Sequence, residues 1–167
     1  LVRYPEYFYW LTETPDRISQ ACDWAELSAA VKQAMCVFEN PEPRLTALRR
    51  TLRRALLRIG AGDLVGERPI GDVATELSVL ADVCLQEILD AFIPELDARY
   101  GIPRNLDGSR ATFVIVGLGK LGGQELNFSS DVDLMFVYSE EGETDGGAQT
   151  DSRFPIRPIL PGCRSGL

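Results

Sequence analysis

Two aspartates two residues apart, Asp131 and Asp133, open the apolar run Asp131-Val-Asp-Leu-Met-Phe-Val-Tyr138. In a strand, residues i and i+2 share a face, so this spacing turns both carboxylates one way and Val132, Leu134 and Phe136 the other. Carboxylates placed so repel one another and call for a cation. Hard oxygen donors select Mg2+ or Mn2+, ions that bind through one or two carboxylates plus substrate phosphate. Upstream, Gly117-Leu-Gly-Lys-Leu-Gly-Gly123 follows another apolar run, Thr112 to Val116. Glycines in that position let the backbone turn tightly and bring its amide N–H groups to a phosphate. Carboxylate-held metal beside backbone donors is the device of phosphoryl or nucleotidyl transfer.

Taken singly, each motif has a plainer reading: an Asp-x-Asp more often caps a turn and stays solvated, and a glycine turn is as often structural. The argument rests on their coupling across one short connection. Gly117, Gly119 and Gly122 also fit the dinucleotide fingerprint G-x-G-x-x-G, which makes a nicotinamide- or flavin-type oxidoreductase an alternative. That fold needs a crossover of about 10 to 12 residues or more, and only residues 124–130 intervene before the next run. Lys120 is followed by leucine, so no Walker loop fits. The chain has no histidine, which excludes imidazole-based triads and zinc sites that need imidazole.

These motifs need a scaffold, and the first part of the chain reads as helices. Asp23 and Glu26 have capping-box spacing, and Trp24, Leu27, Val31, Met35 and Phe38 recur at helical intervals. After Asn40, Pro41 and Pro43, a second apolar stripe runs from Leu45 to Ile59 and is expected to close at Gly60 and Gly62. Its other face carries Arg49, Arg50, Arg53, Arg54 and Arg58, expected to be a solvated face. The alternative is a non-catalytic helical interaction module docking an acidic partner there. A third helix begins near Asp72 and places Val73, Leu77, Leu80, Cys84 and Ile88 on one side, with Pro94 expected to kink or end it. Thr112 to Val116 then reads as a buried strand and Asp131 to Tyr138 as a second. Residues 148–167, rich in Pro and Arg, show no period and read as an atypical irregular tail.

With 167 residues, 17 Lys and Arg against 25 Asp and Glu, and a net charge of -8, the chain is of globular composition and a poor match for nucleic acid. Its apolar runs are far shorter than the roughly 20 residues of a membrane span. Cys22, Cys36, Cys84 and Cys163 form no Cys-x-x-Cys pair and are expected to be buried free thiols in the cytoplasm. Beginning at Leu1 rather than Met, the chain reads as a fragment.

The run from Val116 through Gly122-Gly-Gln-Glu-Leu-Asn-Phe-Ser-Ser-Asp-Val-Asp133 to Tyr138 resembles the glutamine synthetase adenylyltransferase family, within the nucleotidyltransferase superfamily that includes DNA polymerase beta. Tyr4-Pro-Glu-Tyr-Phe-Tyr-Trp-Leu11, the Arg-rich helix, Glu76 to Asp82 and Arg99 to Arg104 are similar to the family's helical approach to its core. The resemblance implies an α+β fold: a helical region over 1–110, a partial nucleotidyltransferase core over 111–147 with the first two strands of an incomplete sheet, and the tail. It implies Asp131 and Asp133 as catalytic metal ligands for Mg2+ or Mn2+, and Gly122, Gly123, Ser129 and Ser130 as nucleotide- or phosphate-binding. It also implies ATP, ADP and inorganic phosphate as substrates or products. The implied partners are glutamine synthetase and, through the full-length enzyme, the signal-transduction protein PII. Family members of the long type have one half that attaches AMP from ATP to a tyrosine of glutamine synthetase and another that removes it by phosphorolysis. Asn127-Phe-Ser-Ser130 resembles the removing half, with the adenylylating half as the alternative. The superfamily's third carboxylate has no counterpart here, since Asp151 sits in the tail, so the chain alone is expected to turn over little or nothing.

Overall fold

A computed structural model of the chain describes residues 5–13, 18–65, 68–147 and 155–156. The helices are α1 (Glu6–Glu13), α2 (Trp24–Met35), α3 (Pro41–Val65), α4 (Ile70–Tyr100) and the short α5 (Gly119–Gly122). The strands are β1 (Pro103–Arg104), β2 (Phe113–Gly117), β3 (Leu134–Tyr138), β4 (Gly142–Thr144) and β5 (Pro155–Ile156). The architecture is α+β with a helical N-terminal region. The chain divides into two compact units, one comprising residues up to Leu89 with Gly117–Met135, the other Asp90–Val116 with residues from Phe136 onward.

In the first unit, α2 starts as its capping box requires: the Asp23 carboxylate accepts from the Glu26 amide at 2.9 Å, and Glu26 accepts from the Asp23 amide at 3.2 Å. Leu27, Val31 and Met35 of α2, Leu48 and Ile59 of α3, and Val73, Leu77, Leu80 and Val83 of α4 are buried and form the core. Helix α3 continues through Gly60 and Gly62 to Val65. Glycine weakens a helix without removing a hydrogen bond, and here close packing keeps Gly62: a β-carbon there would meet the Ile18 carbonyl. Helix α4 likewise runs 31 residues and continues past Pro94, which forgoes one N–H bond without ending the helix.

The Arg-rich face also departs from expectation. Arg58 is 4% exposed and binds Glu76, itself 3% exposed. Arg58 also donates to the Gln20 carbonyl at 2.7 Å, the Cys22 amide donates to Glu76 Oε1 at 2.8 Å, and Arg68 Nη1 stands 2.6 Å from Glu76 Oε2. That last pair is close in distance but off the angle of a hydrogen bond. Arg54 lies over the rings of Tyr7 and Trp10, at 5.8 and 5.7 Å from their centroids. Of the five, Arg49, Arg50 and Arg53 are exposed. Helical period finds the polar side of a helix; it does not see a buried acid on the next helix, and Glu76 turns Arg58 inward.

In the second unit, β1, β4 and β5 form an antiparallel sheet, with Pro103 opposite Thr144 and Glu143 opposite Pro155. The pairing of Pro155–Ile156 corrects the expectation of a tail without strands; the rest of 148–167, Cys163 and Asp151 included, lies outside the described residues. Gly101, at φ +90°, ends α4, and a β-carbon on it would come within 2.5 Å of the Gly146 backbone. Asp145 accepts from the Ile102 amide at 2.7 Å and from Arg104 at 2.9 and 3.0 Å; Arg104 above all, then the amide, holds its carboxyl below the usual value.

Strands β2 and β3 pair as a two-stranded sheet. Leu118 N–H bonds the Asp133 carbonyl and Ser139 N–H the Thr112 carbonyl, so numbers rise on one strand as they fall on the other: the pair is antiparallel. Neither strand is buried as expected, since Phe113, Val114, Met135 and Phe136 are all at least 43% exposed. Apolar composition states what a strand requires of its neighbours, and two strands offer no second layer. The thiols also divide. Cys22 and Cys84 are half-buried and Cys36 is exposed, all three free, because Cys36 lies just past the end of α2.

Candidate functional site

The glycine segment leaves β2 and forms one short turn of helix, α5. Leu121 anchors it, 2% exposed. Two glycines are required by packing: a β-carbon on Gly117 would come within 2.9 Å of the Leu121 side chain, and one on Gly122 within 2.6 Å of the Gly117 carbonyl oxygen. Gly123 differs. It is exposed, and a β-carbon there would meet nothing closer than 3.5 Å. Gly119 takes φ +54°, and Asp133 Oδ2 lies 3.8 Å from where its β-carbon would stand. The turn and the second aspartate are thus neighbours, joined also by the 2.9 Å bond from the Leu118 amide to the Asp133 carbonyl.

Asp131 and Asp133 precede β3 instead of opening it, because regular strand begins at Leu134. Strand alternation therefore does not govern their side chains, and proximity to the glycine turn is what places Asp133. Both are exposed, and neither carboxylate bonds or pairs with another described residue. Asp133 stands beside the glycine turn, and a free hard-oxygen donor there fits a Mg2+ ion that takes its other ligands from water and phosphate. Among the described residues no group of three or more His, Cys, Asp or Glu gathers into a metal site.

Ser129 and Ser130 are organised by a residue that motif reasoning passed over. Asn127 Oδ1 accepts from the Ser129 amide and hydroxyl, both at 3.1 Å, and from the Ser130 hydroxyl at 2.8 Å. The Asn127 amide in turn donates to Ser130 Oγ at 3.2 Å. This is an Asx turn, and the signal was present: Asn with Ser two and three residues on. Both hydroxyls point to Asn127, which leaves oxygen lone pairs but no hydroxyl proton for a phosphate in this arrangement.

Three further residues escaped the sequence reading because they lie on or against a helix distant in sequence. Ser78 of α4 is fully buried; its hydroxyl donates to the Ala74 carbonyl at 2.9 Å and accepts from the Leu126 amide at 3.2 Å. Asp82, one turn on, accepts from Gln124 Nε2 at 3.2 Å, and Gln124 holds φ +57°, uncommon for a side chain other than Asn or Asp.

The four-residue α5 and the antiparallel β2–β3 pair remove the dinucleotide-binding alternative, which requires a parallel crossover through a full helix. The inward Arg54 and Arg58 weaken the docking-module alternative. No described helix is long and apolar enough to cross a membrane.

Residues 1–154 match the family described as glutamate-ammonia ligase adenylyltransferase. Curated relatives named bifunctional glutamine synthetase adenylyltransferase/adenylyl-removing enzyme include one from Burkholderia mallei, 40% identical over 129 residues, or 75% of this chain. Others come from Thioalkalivibrio sulfidiphilus, 35% identical over 81% of the chain, and Shewanella frigidimarina, 33% identical over 91%. The chain spans 14% to 16% of the length of these relatives. With residues 1–154 matched and the glycine turn set against Asp133, the chain belongs to the glutamate-ammonia ligase adenylyltransferase family.

Proposed function

We propose that this segment works within a longer cytoplasmic enzyme that transfers AMP to or from a tyrosine of glutamine synthetase, and that it belongs to the half that removes AMP. The observation that carries the reading is the approach of Asp133 to the glycine turn at Gly119. In that arrangement the exposed surface at Gly122 and Gly123 leaves room for the phosphate, Gly123 keeping the approach open because it has no side chain, while their amides stay bonded to the Leu118 and Gly119 carbonyls at 3.3 and 3.0 Å. Asp131 and Asp133 hold Mg2+ or Mn2+, which when bound neutralises charge on the phosphate. The Asn127 turn fixes Ser129 and Ser130 beside the aspartates, so their oxygens keep one geometry through the reaction.

In the removing direction inorganic phosphate attacks the AMP phosphorus; a P–O bond forms to phosphate, the bond to the tyrosyl oxygen breaks, and ADP and free tyrosine result. The Asn127-Phe-Ser-Ser130 sequence favours this direction over attachment of AMP from ATP. PII acts, on this reading, through the rest of the longer enzyme.

Metal-dependent nucleotide binding tests the proposal. Mn2+ and Mg2+ are titrated with ADP and with ATP against the longer enzyme and its Asp133→Asn variant. Metal-dependent ADP affinity in the parent that the variant loses, with ATP binding by the attaching half retained, is expected. An identical, metal-independent response in both overturns the metal site and supports an interaction module.

A further inference from the structure

The segment that carries the aspartates is fastened to the helices at three places. The Leu126 amide donates to Ser78 Oγ, Gln124 donates to Asp82, and the Phe128 ring lies 3.7 Å from the β-carbon position of Gly60 on α3. Leu121 and Leu126 are buried on either side of the first two fastenings. Between Gln124 and Asp131 the chain makes no strand and no helix; backbone bonds tie Gln124 and Glu125 to the turn and Leu118 to Asp133, and the stretch between them, from Leu126 on, needs a fastening from outside. Ser78 is placed to provide it. It sits inside an apolar helix face, where a hydroxyl is retained at a cost unless both its donor and acceptor are used, and both are.

We propose that Ser78, seconded by Asp82, is a positioning residue for AMP transfer, resting on the proposed function: helix α4 sets the distance between Gly122–Gly123 and Asp131–Asp133 by holding residues 124–126. Losing the Ser78 hydroxyl leaves the Leu126 amide buried without an acceptor, and the segment relieves this by shifting. A displacement near 1 Å at reacting groups lowers the rate about 100-fold. On this proposal the loss falls on kcat and on the phosphate KM, with docking of the protein substrate left intact.

The test measures AMP removal by the longer enzyme as parent, Ser78→Ala, Ser78→Thr, Asp82→Ala and Asp131→Asn, with melting temperature for each. Expected are a fall in kcat of about 10- to 100-fold for Ser78→Ala, recovery of most of it by Ser78→Thr, and a smaller fall for Asp82→Ala at unchanged melting temperature. The KM for adenylylated glutamine synthetase stays within about twofold in each. The Asp82 hydrogen bond is exposed, so that variant reads positioning even where Ser78→Ala does not fold. If Asp131→Asn abolishes removal while Asp82→Ala and any folded Ser78 variant keep parental kcat, the positioning role is wrong and the proposed function stands. If Asp131→Asn keeps parental activity, the proposed function fails, and the positioning role with it.

Discussion

Single residues here carry opposite meanings under one motif. Gly122 and Gly123 are adjacent and alike in sequence, yet a β-carbon on Gly122 strikes the Gly117 carbonyl and one on Gly123 makes only ordinary contacts from 3.5 Å. Gly122→Ala is therefore expected to lower the melting temperature, as overpacking against backbone does, at a cost of about 1–3 kcal/mol. Gly123→Ala is expected to leave thermal stability unchanged and to weaken phosphate binding alone, which paired melting and phosphate-KM measurements separate. The thiols differ in the same way. Burial, with Glu87 adding to it, pushes the Cys84 thiol up to about 11, and burial also raises Cys22. Among the three described thiols, mass-spectrometric mapping of alkylation at pH 8 should find Cys36 modified first. An unfolded thiol ionises near 9.0 and Cys84 in the folded chain near 11, so the native state keeps its proton longer. This contribution to stability is intact below pH 9 and is lost as pH rises toward 11, by no more than about 2–3 kcal/mol. Cys84→Ala should flatten that alkaline fall in denaturant midpoint.

At the level of elements, the helices were legible and their interiors were not. The capping box at Asp23, the stripes of α2 and α3 and the glycine end of α4 follow from spacing alone. Passage through Gly60, Gly62 and Pro94 does not, because tertiary packing outweighs local breakers once a helix lies against others. Gly60 and Gly62 show the difference: alanine at 60 meets Phe128 at an ordinary 3.7 Å, whereas at 62 it meets the Ile18 carbonyl. Gly60→Ala should stabilise by about 0.5–1 kcal/mol, and Gly62→Ala should destabilise, both read from chemical denaturation. In the sequence Glu76 shows only as the start of a segment similar to the family, yet it gathers Arg58, Arg68 and the Cys22 amide. Glu76→Gln leaves two buried guanidinium groups uncompensated and should cost about 3–5 kcal/mol. Of the site, the glycines and aspartates were legible from residue type and spacing. Asn127 was legible in principle from its turn pattern. Ser78 and Asp82 were not, because they act on residues more than forty positions away, a relation that period and motif do not encode.

At the scale of the molecule, the helical unit and the glycine–aspartate segment fold together, and the apolar faces of β2 and β3 stay exposed. The chain holds two unpaired carboxylates, Asp133 beside the glycine turn and Asp131 two residues before it, and spans about a seventh of the relatives it matches. The central claim is that these two carboxylates serve removal of AMP. The most direct measurement is the effect of Asp131→Asn in the longer enzyme on the two reactions assayed apart: phosphate-dependent release of ADP from adenylylated glutamine synthetase, and ATP-dependent attachment of AMP to the unmodified protein. Loss of release of about 100-fold or more, with attachment retained, is the predicted result. Retained release with attachment lost would contradict it.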